Sequence, residues 1–160
     1  MNTTINYGIY ILDSNRELHR LDAWMQQPDP TIAQTVVLVT DFGALEIAKD
    51  DLPGEFNFEE AQKAAADYRE GFRCPTRHEA IELYDARFRG LDEALAKIGG
   101  QPMNDGWRWT SEADHDPECN SSIAFIYGGL TGSVGNSSKY GTYSVRPVAA
   151  FSNDRDELTI

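Results

Sequence analysis

Basic residues are scarce in this chain. Fourteen Lys and Arg stand against 26 Asp and Glu, a formal charge of −12 over 160 residues. A nucleic-acid backbone is held by clustered cations, so this balance excludes nucleic acid as the expected partner and disfavours an anionic membrane surface. Its simplest reading is solubility and mutual repulsion between copies. Cysteine is scarcer still. Cys74 and Cys119 are the whole complement, too few for a disulfide framework; they either pair or stay reduced, the latter being expected inside a cell. No apolar run approaches the roughly 20 residues of a spanning helix, so no membrane insertion is expected. The opening Met1-Asn2-Thr3-Thr4-Ile5-Asn6-Tyr7-Gly8 lacks a basic segment followed by an apolar one. With no export signal visible, the expected location is the cytoplasm or a phage particle or similar assembly.

What is present is a globular composition, 41% hydrophobic, long enough for one well-cored domain. Residues 5–24 read as a β-hairpin, with Tyr7–Leu12 and Glu17–Leu21 as strands around the turn Asp13-Ser14-Asn15-Arg16. Val36-Val37-Leu38-Val39 is a buried-looking strand that Gly43–Ala48 can pair with. The period then changes. Asn57 with Glu60 and Thr76 with Glu79 are capping-box pairs, each opening a helical pattern. Ala61, Ala64, Ala65 and Tyr68 share one face of the first helix, while Ala80, Leu83, Tyr84 and Arg87 share one face of the second. Leu91–Ile98 reads as a short third helix stopped by Gly99-Gly100. Strands return at Trp107–Ser111, Ile123–Tyr127 and Thr142–Phe151. Strands, helices, then strands predict an α+β domain. Its expected division is an N-terminal hairpin extension over 1–35, the main domain over 36–151 and a polar tail over 152–160.

Between the late strands lie two stretches rich in Ser, Asn, Gly, Asp and Tyr, Glu112–Ser122 and Thr131–Tyr140, both read as loops. Small polar residues permit varied loop shape, and Tyr brings contact area at low entropic cost. Recognition residues concentrate on such loops when a rigid scaffold carries them. The candidate contacts are Glu112, Asp114, His115, Asp116, Asn120, Asn136, Lys139 and Tyr140.

The ordered set Phe58-Glu59-Glu60-Ala61, Arg73-Cys74-Pro75-Thr76-Arg77-His78-Glu79, Trp107-Arg108-Trp109-Thr110-Ser111 and Tyr143-Ser144-Val145-Arg146-Pro147-Val148 resembles bacterial C-type-lectin-like domains. The pattern is similar to the C-terminal domain of the Legionella collagen-like protein, over roughly residues 36–151. The resemblance implies a C-type-lectin-like fold, two main helices packed on small twisted antiparallel sheets, with the first and last strands paired. It also implies a ligand face built from loops of the C-terminal sheet, and a protein or glycan ligand. The late loops and the preceding hairpin further resemble variable proteins diversified by phage and bacterial retroelements. Within this frame Trp107 or Trp109 is a core anchor, Cys74 a core residue and Arg146 half of an internal ion pair.

Chemical alternatives are weaker on the same residues. Gln27-Pro28-Asp29 spells a galactose-type lectin tripeptide but precedes the first helix, and the partner Trp-Asn-Asp order is absent. Glu112, Asp114, Asp116 and Glu118 could line an oxygen cage for calcium, but a solvated acidic loop is the favoured reading. His115 and Cys119 lack the paired spacing of structural zinc sites. Formylglycine-generating enzymes share the fold but need two close reactive cysteines near the C-terminus, which Cys74 and Cys119 do not match. His19, His78 and His115 have no local nucleophile context. The expectation is therefore a non-enzymatic binding module with no catalytic residues, metal or cofactor.

Overall fold

The computed structural model describes residues 8–21, 35–40, 43–103, 106–113, 123–128 and 133–151. Its elements are β1 (Gly8–Leu12), β2 (Leu18–Arg20), β3 (Thr35–Thr40), β4 (Gly43–Ile47), α1 (Phe58–Tyr68), α2 (Arg77–Ala86), α3 (Leu91–Lys97), β5 (Arg108–Ala113), β6 (Ile123–Gly128), β7 (Ser133–Ser138) and β8 (Val148–Ala150). A 3-10 turn at Arg87–Arg89 joins α2 to α3. Among the described residues the fold is α+β, as the order of periodicities predicts, and it holds three helices and two antiparallel sheets.

The larger sheet runs β2-β1-β3-β4-β8. Val36-Val37-Leu38-Val39 is apolar at every position because both faces of β3 are covered. On one face Ile11, Val36, Leu38, Leu45, Ile47 and Val148 meet Leu83 and Tyr84 of α2 and Leu91, Ala94 and Leu95 of α3. The other face gathers Tyr10, Leu12, Val37, Val39 and Phe151. The N-terminal hairpin forms as predicted, and β1 bonds to β3 over its whole length, with Ile11 opposite Val36. Residues 8–20 thus belong to the same sheet as the central strands.

Both capping boxes are made. Asn57 Oδ1 accepts from Glu60 N at 2.9 Å while Asn57 N donates to Glu60 Oε1 at 3.1 Å. Thr76 Oγ1 accepts from Glu79 N at 3.2 Å, and Thr76 N donates to Glu79 Oε1 at 2.9 Å. Ala61 and Ala65 of α1 are fully buried, their small side chains letting the helix sit close to Trp109.

The smaller sheet runs β5-β6-β7 and departs from expectation in one place. The stretch read as a Gly/Ser/Asn loop, Thr131–Tyr140, contains strand β7. Ser133-Val134-Gly135-Asn136-Ser137-Ser138 has little intrinsic β preference; a full ladder to β6, from Ile123↔Ser138 to Gly128↔Ser133, imposes the extended backbone instead. The segment read as one strand over Thr142–Phe151 is also broken up. Only Val148–Ala150 forms β8, pairing with β4. Tyr143 and Ser144 make single bridges to Phe56 and Arg108, and Pro147 has no N–H to continue a ladder.

A buried ion cluster joins these parts. Asp51 Oδ1 accepts from Arg108 Nε at 2.8 Å and Arg146 Nε at 2.9 Å, and Oδ2 accepts from Arg108 Nη2 at 2.9 Å. Arg108 and Arg146 are 1% and 0% exposed, and both find further acceptors. Arg108 Nη1 donates to Tyr84 Oη at 2.7 Å. Arg146 reaches the carbonyls of Ala48 at 3.3 Å, Gln101 at 3.1 Å and Pro102 at 3.4 Å. Burial pushes the Asp51 carboxyl up, but the Arg108 hydrogen bonds and the two guanidinium charges outweigh it and hold it below its ordinary 3.8. Close by, Tyr127 Oη is buried with no hydrogen-bond partner among the described residues.

Two stability outcomes are expected. Asp51→Ala leaves two guanidinium groups buried without their carboxylate and should cost about 3–5 kcal/mol in urea unfolding. A carboxyl held below its unfolded value binds fewer protons folded than unfolded. Its contribution is therefore present above the unfolded value and lost as pH falls through the folded one. Unfolding curves below about pH 4 should show this loss in the wild type and a shallower one in Asp51→Asn. Tyr127→Phe removes an unmatched buried hydroxyl and should be neutral or stabilising by about 1 kcal/mol in the same assay.

Candidate functional site

Four of the eight residues singled out from the sequence, Glu112, Asn136, Lys139 and Tyr140, lie in the described structure; Asp114, His115, Asp116 and Asn120 lie outside the described residues. Gln27-Pro28-Asp29, Glu118 and Cys119 lie outside them too. The four that are described all belong to the small sheet or the turn that follows it. They fall into two groups.

Glu112 sits near the end of β5. Its Oε2 accepts from Arg77 N at 2.6 Å, and Oε1 lies 3.5 Å from Arg77 Nε. Arg77 is the first residue of α2, where unpaired N–H groups and the helix dipole attract a carboxylate. The carboxylate offered as one wall of a calcium cage is therefore already engaged by the helix. The Arg77 guanidinium also stacks 4.1 Å from the centre of the Phe125 ring. Asn136 is the register partner of Phe125 and shares its face of the pleat. Glu112 of β5, Phe125 of β6 and Asn136 of β7 are thus linked, with Arg77 of α2 touching the first two, mixing acid, cation, ring and amide.

Lys139 and Tyr140 make the turn after β7. Lys139 is tied to the start of α1, its carbonyl accepting from Phe58 N at 3.0 Å and its Nζ lying 5.2 Å from the Phe58 ring centre. Tyr140 N donates to Ser138 Oγ at 3.2 Å, and Gly141 N closes the turn on Ser138 O at 3.0 Å. A Cβ on Gly141 would press on Ser137 Oγ and the Tyr143 ring, at 3.1 and 3.2 Å, so the turn is closely packed from behind. The Tyr140 side chain nevertheless stands 82% exposed.

The two tryptophans, both candidates for the core anchor, separate. Trp109 is fully buried, donates from Nε1 to Phe56 O at 2.6 Å, and meets Phe58 and Tyr143 edge-on with ring centres 5.5 and 5.1 Å away. Trp107 is 36% exposed and lies against Gly135 of β7, where a Cβ would stand 3.6 Å from its ring. Sequence reasoning grouped them, because residues two apart on a strand share a face. Their difference is position along that face: Trp109 lies over the packed centre and Trp107 at the strand's entry. Arg77 and Phe125 were missed for a similar reason. Each is ordinary in its own element and gains meaning only from the other.

Among the described residues β7 is paired on one side only, to β6. The edge of this Ser-, Gly- and Asn-rich strand away from β6 therefore lies between the Trp107 ring and the Tyr140 turn. That edge can offer backbone donors and acceptors, small hydroxyls and two aromatic surfaces to a partner.

The groups with perturbed protonation elsewhere are engaged in the scaffold. Burial pushes the Cys74 thiol up to about 12, and its Sγ lies 3.7 Å from the Ala61 carbonyl. A thiol in that state is a core residue and not a nucleophile near neutral pH. For Glu79, burial is outweighed by Arg73, whose Nη1 and Nη2 donate at 2.6 and 2.8 Å, and by the Thr76 N–H; the carboxyl stays below its ordinary 4.5. No protein-family model matches this chain, and no curated protein matches it.

The state of Cys74 can be read directly. In a Cys119→Ser chain at about pH 8, a thiol reagent should leave Cys74 unmodified in the native protein and label it fully in denaturant. Rapid native labelling would show an accessible, reactive thiol.

Proposed function

We propose that this chain is a non-enzymatic binding module of C-type-lectin-like fold, recognising a protein or glycan through the β7 edge and the loops beside it. The observation that carries the reading is Tyr140, a large ring 82% exposed on a turn held from behind by Ser138, Gly141 and Tyr143. A rigidly mounted, exposed tyrosine gives contact area without much entropy to lose on binding. Asn136, Lys139 and the half-exposed Trp107 extend the same edge, and the Ser/Gly/Asn composition of β7 suits a surface that varies while its scaffold stays constant. The residues between β5 and β6, with Asp114, His115, Asp116 and Asn120, belong to this surface in the proposal. So does diversification by a retroelement, which would leave a nearby reverse-transcriptase gene and an imperfect copy of the coding segment for about residues 105–145.

A glycan and cell-surface binding array tests the reading. Tyr140→Ala and Trp107→Ala should each weaken the strongest interaction about fivefold to thirtyfold, the loss of one well-placed aromatic contact. Asp116→Ala reports separately on the acidic segment. Binding unchanged in all three variants would remove the small sheet from consideration as the site.

A further inference from the structure

The hairpin at the outer side of the large sheet brings together three side chains of metal-ligating type. Asp13, Glu17 and His19 place one ligand atom each within 4.8 Å of one another. Their convergence follows from strand geometry. His19 is the register partner of Ile11, Asp13 lies two residues beyond Ile11, and Glu17 lies two before His19. Since side chains alternate along strands, the three share one face at the end of the hairpin. Asp13 N donates to Glu17 O at 3.0 Å, which locks the two carboxylate positions across the turn.

The carboxylate of Asp13 is also oriented. Oδ1 accepts from Asn15 N at 2.8 Å and Glu17 N at 3.0 Å, and Oδ2 is directed at His19 Nε2, 2.8 Å away. Two donors of one tetrahedral zinc ion, each about 2.0–2.1 Å from it, stand about 3.3–3.4 Å apart. The 2.8 Å between Asp13 Oδ2 and His19 Nε2 is a hydrogen-bond distance, and opening it by about half an ångström reaches that edge. Arg16, in the same turn, is engaged elsewhere, 3.5 Å from Glu46 Oε1 and with its guanidinium 5.5 Å from the Phe151 ring centre. Glu17 is exposed and makes no ion pair among the described residues. With imidazole neutral, the three donors carry two negative charges, which a divalent ion balances.

We infer that Asp13, Glu17 and His19 form a binding site for a divalent transition-metal ion, zinc by donor type, with water completing its coordination. One nitrogen and two carboxylate oxygens suit zinc and its neighbours better than calcium or magnesium, which take oxygen donors. Binding replaces the Asp13–His19 hydrogen bond by two metal bonds and clamps β2, the outermost strand of the large sheet, to the end of β1.

The test is calorimetric titration of the full chain with Zn²⁺, in a parent carrying His115→Ala and Cys119→Ser so that those two donors do not contribute. One ion should bind, the imidazole NMR signals of His19 should shift with it, and His19→Ala should weaken binding about tenfold or more. Glu17→Gln changes an exposed side chain, keeps the hairpin intact and should give a smaller loss, so it decides the matter if His19→Ala unfolds the turn. Zn²⁺ that leaves the His19 signals unmoved, or that binds both variants as tightly as the parent, overturns the assignment.

Discussion

One carboxylate holds the described elements in register. Asp51 stands between Arg108 and Arg146, and through their remaining donors it reaches Tyr84 on α2, the Ala48 carbonyl beyond β4, and the Gln101 and Pro102 carbonyls after α3. Two cations on one anion in a buried place are a poor source of net stability, since desolvation offsets most of the attraction. Their effect is directional. Each guanidinium is planar and its donors point along fixed lines, so the acceptors must arrive from three separate parts of the chain, residues 48–51, Tyr84 and residues 101–102, in one arrangement. A purely apolar contact at the same place would tolerate sliding.

The consequence reaches the candidate surface. Arg108 is the first residue of β5, and Arg146 ends the run from the Tyr140 turn back to β8. The small sheet is therefore attached to the large one at both ends of its course. Trp109 adds a second attachment, with its indole N–H on Phe56 O and its ring between Phe58 and Tyr143. β7 is joined to this frame through β6, its one strand neighbour among the described residues. A fixed backbone carrying small polar side chains and one projecting tyrosine is a sound physical basis for recognition, because little motion has to be frozen when a partner arrives. Gly128 shows how tight the junction is: its φ is 137°, and a Cβ there would collide with the Gly106 carbonyl and meet Tyr84 Oη at 3.0 Å.

Much of the scaffold was legible in the chain because its signals are local. Asn57 with Glu60 and Thr76 with Glu79 satisfy N–H groups within one turn of themselves, so four residues of sequence suffice to see each. The four apolar residues of β3 announce burial on both faces, and the turn after Leu12 announces a hairpin. Cys74 was read as a core residue and is one. The internal pairing of Arg146 was expected as well, although nothing near it in sequence identified Asp51, 95 residues away, as the partner.

The site was less legible, and for one reason throughout. β7 is extended because β6 supplies its hydrogen bonds, not because Ser, Gly and Asn prefer that conformation. Glu112 is an acidic loop residue in sequence and a helix-terminus ligand in space, since α2 begins beside it. Asp13, Glu17 and His19 look like ordinary turn and strand residues until the pairing of β1 with β2 brings them to one face. Sequence by itself determined the elements whose stabilising partners lie within a few residues: caps, hairpin, buried strand and helical faces. Tertiary structure alone decided which strands pair, which tryptophan is hidden and which charges meet, because each of these depends on groups that only the completed packing brings within bonding distance.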